Sequence, residues 1–242
     1  MALYLIGLGL GDERDISIKG LAAIKQARKL YLDVYTSQLQ VAIDQLATYY
    51  GKNIIAAGRE QLENGMENIL KEAQQDDVAL LIIGSPTAAT THFTYVMEAK
   101  KKNIPVHIIE NASVFSAIGI TGLFLYKFGM TISIPRDNKH LETPYKNYLN
   151  NHEQGHHTLF LLDTQEKPLT AREGLNYLMS KGLPPTTTII GCAALGSEQP
   201  EIKIATAEHL QLTHYPQCFI IPGKLHFLEE EALQFWKKHA LP

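Results

Sequence analysis

An apolar run, Leu3-Tyr4-Leu5-Ile6, enters three alternating glycines, Gly7, Gly9 and Gly11, and then Asp12-Glu13-Arg14-Asp15. A β-strand that ends in Gly-x-Gly lets main chain approach a ligand closely, because glycine has no Cβ and tolerates positive φ. The chain is thereby constrained to an α/β fold with a nucleotide-type pocket at a strand end. The dinucleotide fingerprint G-x-G-x-x-G places its third glycine one residue later than Gly11. Three carboxylates also stand where a pyrophosphate would need a helix N-terminus. The turn therefore suits a ligand of little or no negative charge.

Composition narrows the class. The 242 residues are 45% hydrophobic and 19% charged, the profile of an ordinary globular protein with ample length for buried cores. A net charge of −3 gives no basic field of the kind that drives nonspecific nucleic-acid binding. Cys192 and Cys218 both lie inside apolar runs and are expected to be buried, reduced thiols in strands. No basic-plus-apolar leader precedes the first strand. The least polar stretch, 114–126, is too short to span a bilayer and is broken by glycines. These features point to a cytoplasmic protein away from membranes.

Along the first half, strand-like runs at 3–7, 29–34, 53–57, 78–84 and 105–109 alternate with helical patterns. One such pattern repeats through Ile18, Leu21, Ala22, Ile24 and Ala27, another through Leu62, Met66, Ile69, Leu70 and Ala73, with Gly65 inside it. The alternation predicts a mostly parallel sheet covered on both faces, with the continuous apolar run 78–83 as a strand buried on both sides. In the second half a small-residue helix is expected from Ser113. Strands follow near 131–134, 158–162, 186–193, 202–205 and 218–221, with helices near 171–179 and 228–239. Strands spaced this closely predict a mixed sheet. The expected organisation is two α/β domains, 1–111 and 112–242, packed tightly with a cleft between them.

Two further loops follow strands as the glycine turn does. Gly84-Ser85-Pro86-Thr87-Ala88-Ala89-Thr90-Thr91-His92 offers small side chains and neutral hydrogen-bonding groups beyond the most buried strand, with Thr91 able to cap a helix. The segment from Glu110-Asn111-Ala112-Ser113 follows the next strand, and Ser113 could both cap a helix and touch a ligand. Three strand-end loops converging on one pocket are the expected site. His152-Glu153-Gln154-Gly155-His156 matches H-E-x-x-H formally. A glycine inside it and a strand directly after it describe a helix-to-strand loop, so no metal site is expected.

Taken together these stretches resemble the diphthine synthases, methyltransferases of the tetrapyrrole methylase fold. The resemblance runs nearly end to end. It takes in residues 3–16 and 84–92, Asn111-Ala112-Ser113, and Leu125-Tyr126-Lys127-Phe128-Gly129. It continues through His157-Thr158-Leu159, Leu161-Leu162-Asp163 and Pro222-Gly223-Lys224-Leu225-His226. It implies transfer of methyl groups from S-adenosylmethionine, with S-adenosyl-L-homocysteine as product. The implied acceptor is the amine of an aminocarboxypropyl-modified histidine of translation elongation factor 2, and some relatives also esterify the carboxylate. It also implies a homodimer with the cofactor held between the two domains. By position, the cofactor contacts are Leu10, Ser85, Ala88, Ser113, Val114, Leu162, Leu195 and Gln217.

Two of these positions depart from the family pattern. A common Gly-Asp-Pro stands here as Gly84-Ser85-Pro86, and a common histidine as Gln217. The aspartate is expected to offer a carboxylate to a cationic cofactor. Its loss costs roughly 1.5–3 kcal/mol, about ten- to a hundredfold in affinity, if nothing compensates. Methyl transfer needs alignment and an unprotonated amine rather than an activated nucleophile, and no residue is assigned as general base. His92 and His226 read as structural. Tyr126 and Lys127 read as a core tyrosine and a solvated lysine unless they shape the acceptor site. The alternatives are a methylase of this fold acting on another substrate such as a tetrapyrrole, or a non-catalytic homologue with weakened cofactor binding.

Overall fold

A computed structural model describes residues 1–37, 40–164 and 167–238. The chain forms two compact units, Met1–Val114 and Phe115–Pro242.

The first unit runs β1 (Leu3–Gly7), α1 (Ile18–Gln26), β2 (Lys29–Asp33), α2 (Ile43–Tyr50), β3 (Ile54–Ala57), α3 (Met66–Ala73), β4 (Val78–Ile82), α4 (Phe93–Lys101) and β5 (Val106–Ile109). Its five strands form one parallel sheet in the order β3-β2-β4-β1-β5. All five residues of β4 are buried, which is why that strand reads as an unbroken apolar run. Alternation along the strands divides the core. Ile6, Leu30, Leu32 and Leu81 pack with Ile24 and Leu46 in one cluster, while Leu3, Leu5, Leu80 and Ile82 pack with Leu70 and Tyr95 in another.

Two helical readings need correction. In α1 the buried face is Gly20, Ala23 and Ile24, and Ile18 at the first turn is 91% exposed. The hydroxyl of Ser17 accepts from the Gly20 amide there, so the helix start is set by its cap rather than by its apolar stripe. The pattern read through Gly65 is broken at that glycine. A π-helical turn, Glu60–Asn64, precedes it and α3 begins after it. A Cβ at Gly65 would stand 2.7 Å from the Gln61 carbonyl oxygen, so the wide turn closes only around glycine.

The boundary between the units falls in a single turn, α5 (Val114–Ala117), which passes into a 3-10 turn, Ile118–Thr121, and stops at Gly122 with φ +83°. A Cβ at Gly122 would run into Ala232, and the helix expected from Ser113 forms as these two short turns. Then come β6 (Ile132–Ile134), α6 (Thr143–Glu153), β7 (Thr158–Leu162), α7 (Ala171–Ser180), β8 (Thr188–Ala193), β9 (Glu201–Thr206), β10 (Gln217–Ile221) and α8 (Phe227–Lys238). Of the expected last helix, His239 lies outside the described residues. The sheet order is β6-β7-β10-β8-β9, with β6 parallel to β7 and the other pairs antiparallel, the mixed sheet expected. Phe160 and Phe219 stack at 4.8 Å in its core. Cys192 and Cys218 face each other across β8 and β10 as free, buried thiols. The hydrogen bond with Cys218 and burial push the Cys192 thiol up. Among the described residues no helix is long and apolar enough to cross a membrane.

Candidate ligand site at the strand ends

The carboxyl ends of β4, β1 and β5 are neighbours, and the three loops leaving them are stitched together by main chain. The Gly84 amide donates to the Gly9 carbonyl at 2.7 Å, and the Leu8 amide to the Ile82 carbonyl at 2.8 Å. Gly9 and Gly84 hold φ of +84° and +81°, the left-handed region that glycine adopts without strain. A Cβ at Gly7 would stand 2.6 Å from the Gly84 carbonyl oxygen and 2.9 Å from Asn111 Cβ. The absent side chain is what brings the loops this close. Asn111 completes the junction, its amide donating to the carbonyls of Gly7 and Asp15 at 3.0 Å each. Leu10, Ser85, Ala88, Ser113 and Val114 therefore sit on loops gathered at one edge of the first sheet.

The glycine turn is closed on an anion of its own. Asp15 Oδ2 accepts from the Gly11 amide at 2.7 Å and from the Leu10 amide at 3.2 Å. Asp12 accepts from the Arg14 amide and pairs with its guanidinium, which holds the Asp12 carboxyl below its ordinary range. The amides that cradle a phosphate in a dinucleotide fold are thus already taken by a side chain.

The neighbouring loop is anchored from beneath. His92, 4% exposed, donates from Nε2 to Asp33 Oδ2 at 3.0 Å, and its Nδ1 meets the Thr90 hydroxyl. Burial works against an Asp33 carboxylate, but bonds from His92 and from the hydroxyl and amide of Thr36 overcome it and hold the carboxyl below its ordinary value. His92 is structural, as expected. It also occupies the position before α4 without a side-chain cap, so Thr91 does not serve as the N-cap.

In the second unit, Leu162 ends β7, Leu195 follows β8, and Gln217 opens β10 opposite Ala193. The three share one end of that sheet. Gln217 is buried and its amide is engaged on both sides. Oε1 accepts from the Ala171 amide at 2.8 Å, and Nε2 donates to the carbonyls of His214 at 2.9 Å and Leu212 at 3.3 Å. It secures the start of α7 as a structural glutamine.

Sequence reasoning missed a buried network at the opposite end of that sheet, before β7 and after β10. His157 and Glu229, each with a fully buried side chain, bond at 2.9 Å through Nε2 and Oε1, and His157 Nδ1 accepts from the Gly223 amide at 2.9 Å. Glu229 also accepts from the amides of Phe124 and His226 at 2.8 Å each, and pairs with Lys127. Burial opposes the Glu229 charge, yet these donors bring its carboxyl down to about 2. Burial lowers the His157 pKa despite Glu229, which leaves the ring neutral with its proton on Nε2. Both bland readings of the adjacent motif are reversed. Lys127 is tied to Glu229 and to the Lys224 carbonyl, and Tyr126 is 82% exposed, stacked on Phe124 at 5.4 Å. The only sequence signal was the motif match itself, since residues 127, 157 and 229 are far apart in the chain. His226 is exposed, its Nδ1 accepting from the Leu228 amide at the start of α8. The H-E-x-x-H match is split: α6 ends at Glu153 and His156 lies beyond Gly155. The described residues contain no group of three or more potential metal ligands.

A parallel sheet with a glycine turn sealed by its own carboxylate, followed by a unit built on a mixed sheet, defines a two-unit α/β protein whose turn amides are already taken. Residues 2–211 match the family model for Tetrapyrrole (Corrin/Porphyrin) Methylases. The chain is a methyltransferase of this family, on its diphthine synthase branch. It is 40% identical to a diphthine synthase of Methanocaldococcus jannaschii, covering 96% of this chain and 98% of the relative. It is 36% identical to the diphthine methyl ester synthase of Dictyostelium discoideum, covering 98% of each. A crystal structure of diphthine synthase superposes with a TM-score of 0.93 at 30% identity, over 98% of this chain and 96% of that one. A putative diphthine synthase from Entamoeba histolytica gives 0.87 at 31% identity, over 98% of each chain.

Proposed function

We propose that the protein transfers methyl groups from S-adenosylmethionine to the amine of the aminocarboxypropyl-modified histidine of translation elongation factor 2, as a cytoplasmic homodimer. What carries this reading is a likeness to diphthine synthases that spans almost the whole chain. The chemistry of the strand ends supports the methyl donor. The turn amides are filled by Asp15, and the contact positions Leu10, Ser85, Ala88, Ser113 and Val114 carry no basic side chain. A ligand without phosphates and with positive charge fits that lining.

Bound there, the donor supplies a methyl on a positively charged sulfur and leaves as neutral S-adenosyl-L-homocysteine. The work left to the protein is alignment and exclusion of water. Leu10, Ala88 and Val114 offer apolar surface, and Ser85 and Ser113 offer hydroxyls. The resemblance names Leu162, Leu195 and Gln217 as further candidate contacts, and Gln217 holds the start of α7. The acceptor amine must reach the site unprotonated.

The test is incubation with isotopically labelled S-adenosylmethionine and elongation factor 2 carrying the unmethylated arm, followed by mass spectrometry of the modified histidine peptide. Label on that residue is expected. Calorimetric binding of the donor without transfer would move the reading to another substrate, and no binding at millimolar donor would end the enzyme reading. The name of the Dictyostelium relative supports a second reading, methylation of the carboxylate as well. Mild base treatment separates the two, because an ester methyl is lost and an ammonium methyl is kept.

A further inference from the structure

Position 85 carries a serine, and its hydroxyl is aimed at a carboxylate. Ser85, 8% exposed, donates its proton to one oxygen of Glu110, and Thr87 Oγ1 donates to the other at 2.9 Å. Glu110 is the first residue after β5 and Ser85 lies on the loop after β4, so the two flank the end of β1 at the gathered strand edge. The other nearby acids are occupied. Asp15 is bound to the turn amides and Asp12 to Arg14. Among the described residues no lysine, arginine or histidine forms an ion pair with Glu110. A carboxylate offers about four acceptor sites, and the two hydroxyls fill two of them. What remains is a full negative charge, fixed in place by neutral donors and directed into the loops that form the candidate site. Hydroxyls orient such a group without cancelling its charge.

We infer that Glu110 is the counter-charge for the cationic methyl donor, with Ser85 and Thr87 as positioning residues that hold it. This rests on the function proposed above. It would also explain how the site retains a carboxylate although position 85 has none.

Calorimetric titration with S-adenosylmethionine and with S-adenosyl-L-homocysteine tests it. Glu110 is exposed, so Glu110→Gln should fold normally, with an unchanged unfolding midpoint as the control. It should weaken binding of the methyl donor by about ten- to a hundredfold, the effect of removing a charge-assisted bond. Adding Ser85→Asp to Glu110→Gln should recover most of the loss, because the charge returns to the same place. A larger loss for the donor than for the homocysteine product supports pairing with the sulfonium. Equal losses support pairing with the amino group common to both. Donor affinity unchanged in Glu110→Gln, or no recovery in the double variant, overturns the inference while wild-type binding leaves the proposed function standing. Wild-type protein that binds neither ligand overturns both.

Discussion

Asp15 does in this turn what a bound phosphate does in a dinucleotide fold. Two amides of the glycine loop converge on it, and Gly9 is the residue that lets them. A Cβ at Gly9 would stand 2.6 Å from Asp15 Cβ, in a backbone region that already disfavours a side chain. Gly9→Ala should therefore destabilise the protein by about 1–3 kcal/mol and loosen donor binding, read as a lower denaturation midpoint and a weaker calorimetric Kd. Asp15→Ala leaves the amides of Leu10 and Gly11 without their partner, a loss of about 1–3 kcal/mol. Asp15→Asn keeps an acceptor oxygen and should recover most of it; an alanine variant as stable as the asparagine one would refute the anchoring role. The sequence made part of this legible. Glycine spacing and the acids behind it indicated a turn unsuited to phosphate, because backbone freedom and charge are properties of single residues. Which acid closes the turn, and that Ser85 points at Glu110, depend on side-chain direction across loops that only the fold brings together.

At the scale of elements, legibility follows the strength of the local pattern. Strands of the first sheet are evident because each is a short apolar run between turn residues. Helices α2, α4 and α6 escape the apolar-spacing argument, and all three bury few side chains: Leu46 and Tyr50 in α2, Tyr95 and Ala99 in α4, and Pro144, Tyr148 and Asn151 in α6. Helix α8 shows a different device, a buried carboxylate in its first turn. Glu229 ties that turn to His157 on the strand side and to Phe124 and Lys127 on the preceding segment. Removing one partner from a buried ion pair is costlier than never having had the pair, because the other charge stays buried. Glu229→Ala should lose about 3–5 kcal/mol, and Glu229→Gln distinctly less, since an amide oxygen still accepts from backbone. Urea denaturation of the two variants measures this, and equal stability in both would show that acceptance of the backbone amides by the residue-229 side chain has no role. The aromatic row from Tyr126 through Phe124 to His226 should be displaced with it, seen as a change in aromatic circular dichroism.

Across the whole molecule, the carboxyls with the deepest depressions are unevenly shared. Glu229 and Glu201 both lie in Phe115–Pro242, and each is held down to about 2 against the opposing effect of burial. For Glu201 the donors are Lys203 and the amides of Thr213 and His214. In Met1–Val114 the one deeply buried acid with a lowered value is Asp33, among the described residues. A carboxyl whose folded pKa lies below its unfolded value contributes stability above the unfolded value, near pH 4.5, and loses it as pH falls toward 2. Each of the two glutamates can contribute up to about 3 kcal/mol on this account. His157 acts in the same direction at higher pH. Its folded value is lowered, so the unfolded chain takes up a proton below about 6.5 that the folded one resists. Both effects weaken the second unit first as the solution is acidified. Trp236, the single tryptophan, reports on that unit through its bond to the Ile120 carbonyl at 3.2 Å. Acid titration should therefore show the tryptophan fluorescence transition at higher pH than the loss of total helical circular dichroism, which includes α1–α4 of the first unit. In Glu229→Gln the part of the fluorescence transition lying below pH 4.5 should flatten, since one depressed carboxyl is gone. Coincident transitions by the two probes in the wild-type protein would show that acid acts on both units alike.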